Sequence, residues 1–205
     1  LIVVDAMTKF QSARDITENE ANSLADVYIL ADCLPPSRRE DVRKLCADYA
    51  REVVHNEWNH MDNGHYSPVA RKIAVRILKD LTTFEPKTQN QAGLYPILVQ
   101  EACALWNYRC DRINIAKHGI PTIEWAALIT GGVITVIFTD LFGLESLKLQ
   151  VLMVGMVSLL ISLNLYLFLL FGYPFSGDMT VGCEAFETDI EIFEDKIVSN
   201  APSIN

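Results

Sequence analysis

Five residues between positions 55 and 65 have the side chains that bind metal ions: His55, Glu57, His60, Asp62 and His65. Zinc hydrolases place two histidines at i and i+4 on one helical face, with a glutamate beside the first. Here His55 and His60 are five apart, so on a helix they point in different directions. His60, Asp62 and His65 can still converge around the turn that Asn63-Gly64 predicts, and these three are the metal candidates. The spacing favours a polar helix end over a metal centre. No Gly-rich phosphate loop, nucleophile elbow or cysteine–histidine arrangement accompanies them, so neither an enzyme nor a bound cofactor is expected.

A second set of polar residues sits in apolar surroundings. Thr135 and Thr139 are i, i+4 with Asp140 adjacent, and Ser158 and Ser162 are again i, i+4 with Asn164 close by. A carboxylate at membrane depth is costly and turns toward protein or water. Hydroxyls there can bond to their own helix, join helices, or replace part of an ion's hydration shell. Thr135, Thr139, Asp140, Ser158 and Ser162 are therefore the pore-lining candidates. Asp140 has the alternative of a helix end at the membrane surface.

The elements that must carry these residues follow from the hydropathy. Between Glu124 and Asp140 lie fifteen residues without a charge, and between Lys148 and Asp178 twenty-nine. A bilayer crossing takes roughly 20 apolar residues. The pattern predicts a transmembrane hairpin over 122–174, with spans at about 122–142 and 149–171 joined by a short turn. Residues 11–121 read as four polar helices and no sheet. Leu24, Val27, Tyr28 and Ala31 mark one buried face, broken by Pro35-Pro36. Ser37 with Glu40 predicts a capping box, and Val42, Leu45, Cys46, Tyr49 and Val53 a stripe behind it. Ser67 before Pro68 predicts a capped start for a third helix. Thr88 with Gln91 predicts another, running to about Lys117, with Pro96 kinking or breaking it and Gly119 stopping it. Residues 1–10 read as the end of a span that begins earlier, and 175–205 as an acidic tail. That tail holds seven carboxylates against Lys196, a charge of −6 out of −9 for the chain.

The net charge argues against a nucleic-acid partner. Five cysteines without a C-x-x-C pair signal neither a disulfide framework nor a zinc ribbon, and Cys103 and Cys110 read as small packing residues on one helical face. Arg109, Arg112, Lys117 and His118 precede the first span and only Lys148 lies in the turn. The positive-inside rule then puts 11–121 and the C-terminus in the cytoplasm.

Several segments in this order carry a family likeness: ENEANSLADVYILADCLPP (18–36), DYAREVVHNEWNHM (48–61), TTFEPKTQNQAGLYPILVQE (82–101), FTDLFG (138–143) and YPFSGDMTVGCEAFE (173–187). With this layout the chain resembles the bestrophin-like domain family of bacterial membrane proteins. The resemblance implies an all-α integral membrane protein of the bacterial inner (plasma) membrane. It also implies four spans, two before the cytoplasmic helical region and two after it. Bestrophins proper are pentameric anion channels, which by analogy implies a homo-oligomer, with a pentamer the first stoichiometry to test.

The expected function is a homo-oligomeric membrane ion channel or pore, whose partners are the bilayer, further copies of itself and inorganic ions. Asp140 and the acidic tail would favour cations. The alternative from another class is a non-conducting scaffold or accessory subunit whose cytoplasmic helices bind a partner.

Overall fold

The computed structural model describes residues 2–61, 64–141 and 146–199. The fold is all-α, with no strand among the described residues. The helices are α1 (Ile2–Leu30), α2 (Pro36–Glu52), α3 (Trp58–Met61), α4 (Pro68–Thr82), α5 (Gln89–Lys117), α6 (Thr122–Leu141), α7 (Leu147–Gly172) and α8 (Glu184–Ser199). A 3-10 turn over Ala31–Cys33 follows α1, and a π turn over Val53–Glu57 links α2 to α3. The chain divides into two compact units: Leu1–Ser12 with His118–Thr180, and Ala13–Lys117 with Val181–Asn205.

The second unit has a conventional core. Leu24, Val27 and Tyr28 are buried on one face of α1, continued by Ala31 of the 3-10 turn, and Val42, Cys46 and Tyr49 on one face of α2, continued by Val53 of the π turn. Ile77 and Leu81 of α4 and Leu98, Ala102 and Leu105 of α5 complete it. The segment read as an acidic tail contains α8, which packs on α2 through Phe186 and Phe193. Phe193 stacks on Tyr28 with ring centroids 4.2 Å apart. Five exposed carboxylates, Glu184, Glu187, Glu191, Glu194 and Asp195, leave the outer face of α8 charged, yet an aromatic stripe at seven-residue spacing suffices to seat it.

The helix ends show which local signals act. Ser67 caps α4: its Oγ accepts from the backbone N–H groups of Val69 (3.1 Å) and Ala70 (3.2 Å). Thr88 and Gln91 bond reciprocally before α5, as a capping box requires. The box expected from Ser37 and Glu40 does not form. Helix α2 starts two residues earlier, at Pro36, with Pro35 as its cap and no side-chain cap bond. Proline's fixed φ suits the first helical position, which moves Ser37 into the first turn. Pro96 leaves α5 unbroken. Ala92, Gly93 and Pro96 are all exposed, so the Ala92 carbonyl that lacks a donor lies on the solvent side. Gly119 acts through space rather than through a positive φ: a Cβ there would come 2.5 Å from the Tyr173 ring.

The first unit is built on α6 and α7. Trp125 sits edge-on to Phe168 (centroids 5.2 Å), Gly132 faces Ile161, and Gln150 reaches Asp140. Partners ascend along α6 as they descend along α7, so the two helices run antiparallel. Lys9 of α1 donates to the carbonyls of His118 (3.0 Å) and Gly119 (2.8 Å), which fixes the link before α6. Both helices are long and apolar enough to cross a membrane, and each leaves nearly all of its apolar window uncovered. A buried core helix of a soluble protein has the opposite exposure. The turn between them falls on residues 142–145, outside the described residues.

Candidate functional site: hairpin hydroxyls and a buried charge cluster

The sequence-derived pore candidates lie on α6 and α7. Each hydroxyl whose bonding is fixed donates to a carbonyl four residues back: Thr135 to Gly131 (2.7 Å), Thr139 to Thr135 (2.8 Å) and Ser162 to Ser158 (2.9 Å). Asn164 likewise donates to Leu160 (2.8 Å). Spending the hydrogen this way leaves the hydroxyl oxygens with acceptor lone pairs only. Ser158 and Ser162 line an open groove of about 380 Å³ between α6 and α7, walled by Leu128, Gly132, Val136 and Ile161. Thr135 is exposed and Thr139 buried, and neither lines that groove. The two hydroxyl pairs thus do not share one surface within a single copy. Asp140 is exposed at the end of α6, where the Gln150 amide donates to its carboxylate (3.3 Å) and to its backbone carbonyl (3.2 Å).

The histidine cluster separates. Glu57 turns into the core, while His55, His60 and His65 stay exposed. His60 Nδ1 lies 2.6 Å from the Asn56 carbonyl. Gly64, with φ of 69°, makes the turn after Met61. Asp62 lies outside the described residues. Among the described residues no three His, Cys, Asp or Glu side chains are grouped to hold a metal ion.

Glu57 belongs to a set of residues that the sequence pattern did not single out. Arg109 forks onto it, Nη1 to Oε1 at 2.7 Å and Nη2 to Oε2 at 2.6 Å. Arg112, one turn along α5, forks onto Glu20 of α1 at 2.6 and 2.9 Å and donates to Glu57 Oε1 at 2.9 Å. Tyr49 of α2 donates to Glu20 and accepts from Arg109. The Ser67 backbone N–H donates to Glu57 Oε2 at 2.8 Å, which ties in the start of α4. Arg112 also lies over the Trp58 ring (5.1 Å) and the Phe186 ring of α8 (5.8 Å). One cluster therefore touches α1, α2, α3, α4, α5 and α8. The π turn ending at Glu57 belongs with this, since such turns widen a helix where a side chain must be re-aimed.

Two carboxylates against two guanidinium groups make the cluster neutral, and all four side chains are buried. Burial alone would raise the Glu57 carboxyl; bonds and charge from Arg109 and Arg112 outweigh it and hold the carboxyl below its usual range. The same pairing keeps both arginines firmly charged against the opposing effect of burial. Burial, then the Glu20 charge, raises the Tyr49 phenol. Glu57 is lowered and Arg109, Arg112 and Tyr49 are raised, each away from neutral pH, which suits a cluster that fixes helices.

This corrects the sequence reading at two points. Arg109 and Arg112 are not surface cations before the first span; each is at most 2% exposed and neutralised inside the protein. Cys103 and Cys110 share a face as expected, but that face is exposed, whereas Cys33 and Cys46 are buried. A usable signal existed: Arg109 and Arg112 continue the buried α5 series Leu98, Ala102, Leu105 at three- and four-residue steps, and Glu57 lies four after Val53. A charge on an apolar stripe announces a buried partner.

One further carboxyl is set apart. Asp189 of α8 is 5% exposed and its Oδ2 has no hydrogen-bond partner. Burial first, and the charge of Asp26 second, push it up to about 7.

In comparison with known proteins, residues 1–186 match the family described as Bestrophin-like domain. No curated protein and no solved structure matches the chain.

Proposed function

Because this chain belongs to the bestrophin-like domain family, we propose that it is a homo-oligomeric membrane ion channel or pore that favours cations. One observation carries the reading. On two exposed apolar helices, Thr135, Asp140 and Ser162 present oxygen atoms outward, and the hydroxyls among them have already spent their hydrogens on their own helix. In lipid such groups need protein or water, and lone pairs without a competing hydrogen suit a cation shedding its hydration shell. Neighbouring copies around an axis would supply the remaining ligands. On this reading the helical unit lies in the cytoplasm and the acidic α8 raises the local cation concentration. Further spans, as the family plan implies, would complete each subunit.

The test is ion flux from liposomes holding the purified protein, with cations and anions varied separately. The expected result is cation-favouring flux, with Asp140→Asn shifting the cation-to-anion preference toward anions. Flux absent under every ion and voltage would overturn the channel reading and leave the scaffold reading, in which the cytoplasmic helices bind a partner. Flux that is anion-favouring and indifferent to Asp140→Asn would overturn the cation preference alone.

A further inference from the structure

Helix α4 carries Arg71, Lys72, Arg76 and Lys79 against a single carboxylate, Asp80. All four cations are exposed, and with Pro68 and Val75 they line an open groove of about 500 Å³. Lys72, Arg76 and Lys79 fall at i, i+4, i+7, which makes one stripe along the helix. Asp80 also lines the groove, and its carboxylate lies 3.7 Å from Arg76 on the neighbouring turn. Helix α8 is the counterpart. Its inner face is Phe186, Asp189 and Phe193; its outer face is Glu184, Glu187, Glu191 and Asp195, at steps of three, four and four. The two stripes are opposite in sign, and the basic one, over 72–79, is short enough to lie within the acidic one, over 184–195. Both helices pack on α2, and each turns its charged face outward.

We propose that the basic face of α4 is a docking surface for the acidic face of α8 on a second copy of this chain. The proposal rests on the homo-oligomeric reading above and names its contact. A chain of net charge −9 repels its own copies, so association favours the place where cations are concentrated. Here that place is complementary to a stripe on the same chain, at a different site of the same unit. Such a contact is head-to-tail: each copy gives one face and receives the other, and repetition closes a ring if the rotation allows. Surface charge pairs of this kind set partner choice and register more than affinity, and salt weakens them.

The experiment measures the subunit number of the full chain in detergent by native mass spectrometry across a salt series. It uses the α4 reversal Lys72→Glu/Arg76→Glu/Lys79→Glu, the α8 reversal Glu187→Lys/Glu191→Lys/Asp195→Lys, and the two combined. Thermal unfolding of each variant confirms that these exposed substitutions leave the fold intact. Each reversal alone should raise the protein concentration needed for assembly by about tenfold or more, and the combination should restore it. Assembly unchanged by either reversal, or not restored by the combination, overturns this interface while leaving the oligomer in place. An α4 reversal that abolishes binding to anionic vesicles without altering subunit number reassigns that face to lipid headgroups and likewise overturns the proposal. A wild-type chain that is monomeric at every salt concentration overturns the homo-oligomeric reading itself.

Discussion

Arg109 and Glu57 meet through two parallel hydrogen bonds, at 2.7 and 2.6 Å, with side chains only 3% and 0% exposed. The pair lies on α5 and on the π turn, and Arg112 shares the same carboxylate from one turn further along α5. Desolvating charges is expensive, and only fork-on-fork geometry with every lone pair engaged offsets it. Glu57 meets that condition, with four donors: two from Arg109, one from Arg112 and one from the Ser67 backbone. The effect of the cluster is to make the relative placement of six helices depend on one set of contacts.

Glu57→Gln should be strongly destabilising, by about 3–5 kcal/mol, because it takes from buried Arg109 the carboxylate it forks onto, while Arg112 keeps only Glu20. The double change Glu57→Leu/Arg109→Met removes both ends of a pair and should cost less than the sum of the two single changes. Denaturant unfolding of the helical unit within the intact protein, read as a double-mutant cycle, measures the difference. Additive costs would show that the fork adds no coupling.

Ser67 does three things at once: its Oγ accepts from two N–H groups at the start of α4 and donates to Glu52 at 2.6 Å, and its backbone N–H holds Glu57. Ser67→Ala removes only the hydroxyl functions and should cost about 1–2 kcal/mol, the upper part of the range for a lost cap. Ser67→Thr keeps the oxygen and should recover most of it. A melting temperature equal to the wild type's for the alanine variant would contradict the cap's role.

Much of the fold was legible because it rests on local rules. The hairpin helices came from uncharged length, and the starts of α4 and α5 from Ser67 and Thr88, where the cap is written within three residues. The cluster of Glu20, Glu57, Arg109 and Arg112 was not legible as a site because its members are up to 92 residues apart, and pairing is settled only by tertiary packing. Counting Arg109 and Arg112 as free cations was the consequence. The Ser37 box failed for a smaller reason: Pro36 competed for the helix start. Helix α8 was hidden by composition, since its carboxylates outnumber the three residues, Phe186, Asp189 and Phe193, that face inward.

The cysteines divide by burial, which gives a direct probe of the helical unit. Cys103 and Cys110 are exposed on α5, while Cys33 and Cys46 are buried, and burial above all pushes the Cys46 thiol well above its ordinary value. A neutral maleimide should modify Cys103 and Cys110 in the native protein and reach Cys46 only on unfolding, since the thiolate is the reactive form. Mass spectrometry of peptides after timed alkylation checks it. Native labelling of Cys46 at the rate of Cys103 would contradict the packing of α2.

Asp189 predicts how α8 responds to pH. From α1 it faces Asp26, with Tyr28 stacked on the neighbouring Phe193; from α2 it faces Cys46, with Arg43 close by and Arg51 bound to Glu194. Its own Oδ2 has no partner. Docked, the carboxyl is raised to about 7; released, it returns toward the ordinary value of 3.8. A raised value means docking binds a proton, so the stabilisation is full below the released value and declines as pH rises through the docked one. Between these limits docking weakens by up to about 1.4 kcal/mol per pH unit, and above them the loss levels off. Hydrogen exchange of the α8 backbone should therefore slow on going from mildly alkaline to mildly acidic buffer, after correction for intrinsic exchange rates. Asp189→Asn, which cannot ionise, should flatten the profile at the protected level. Protection of α8 that is independent of pH in the wild type, or a profile unchanged by Asp189→Asn, would show that this carboxyl does not govern docking.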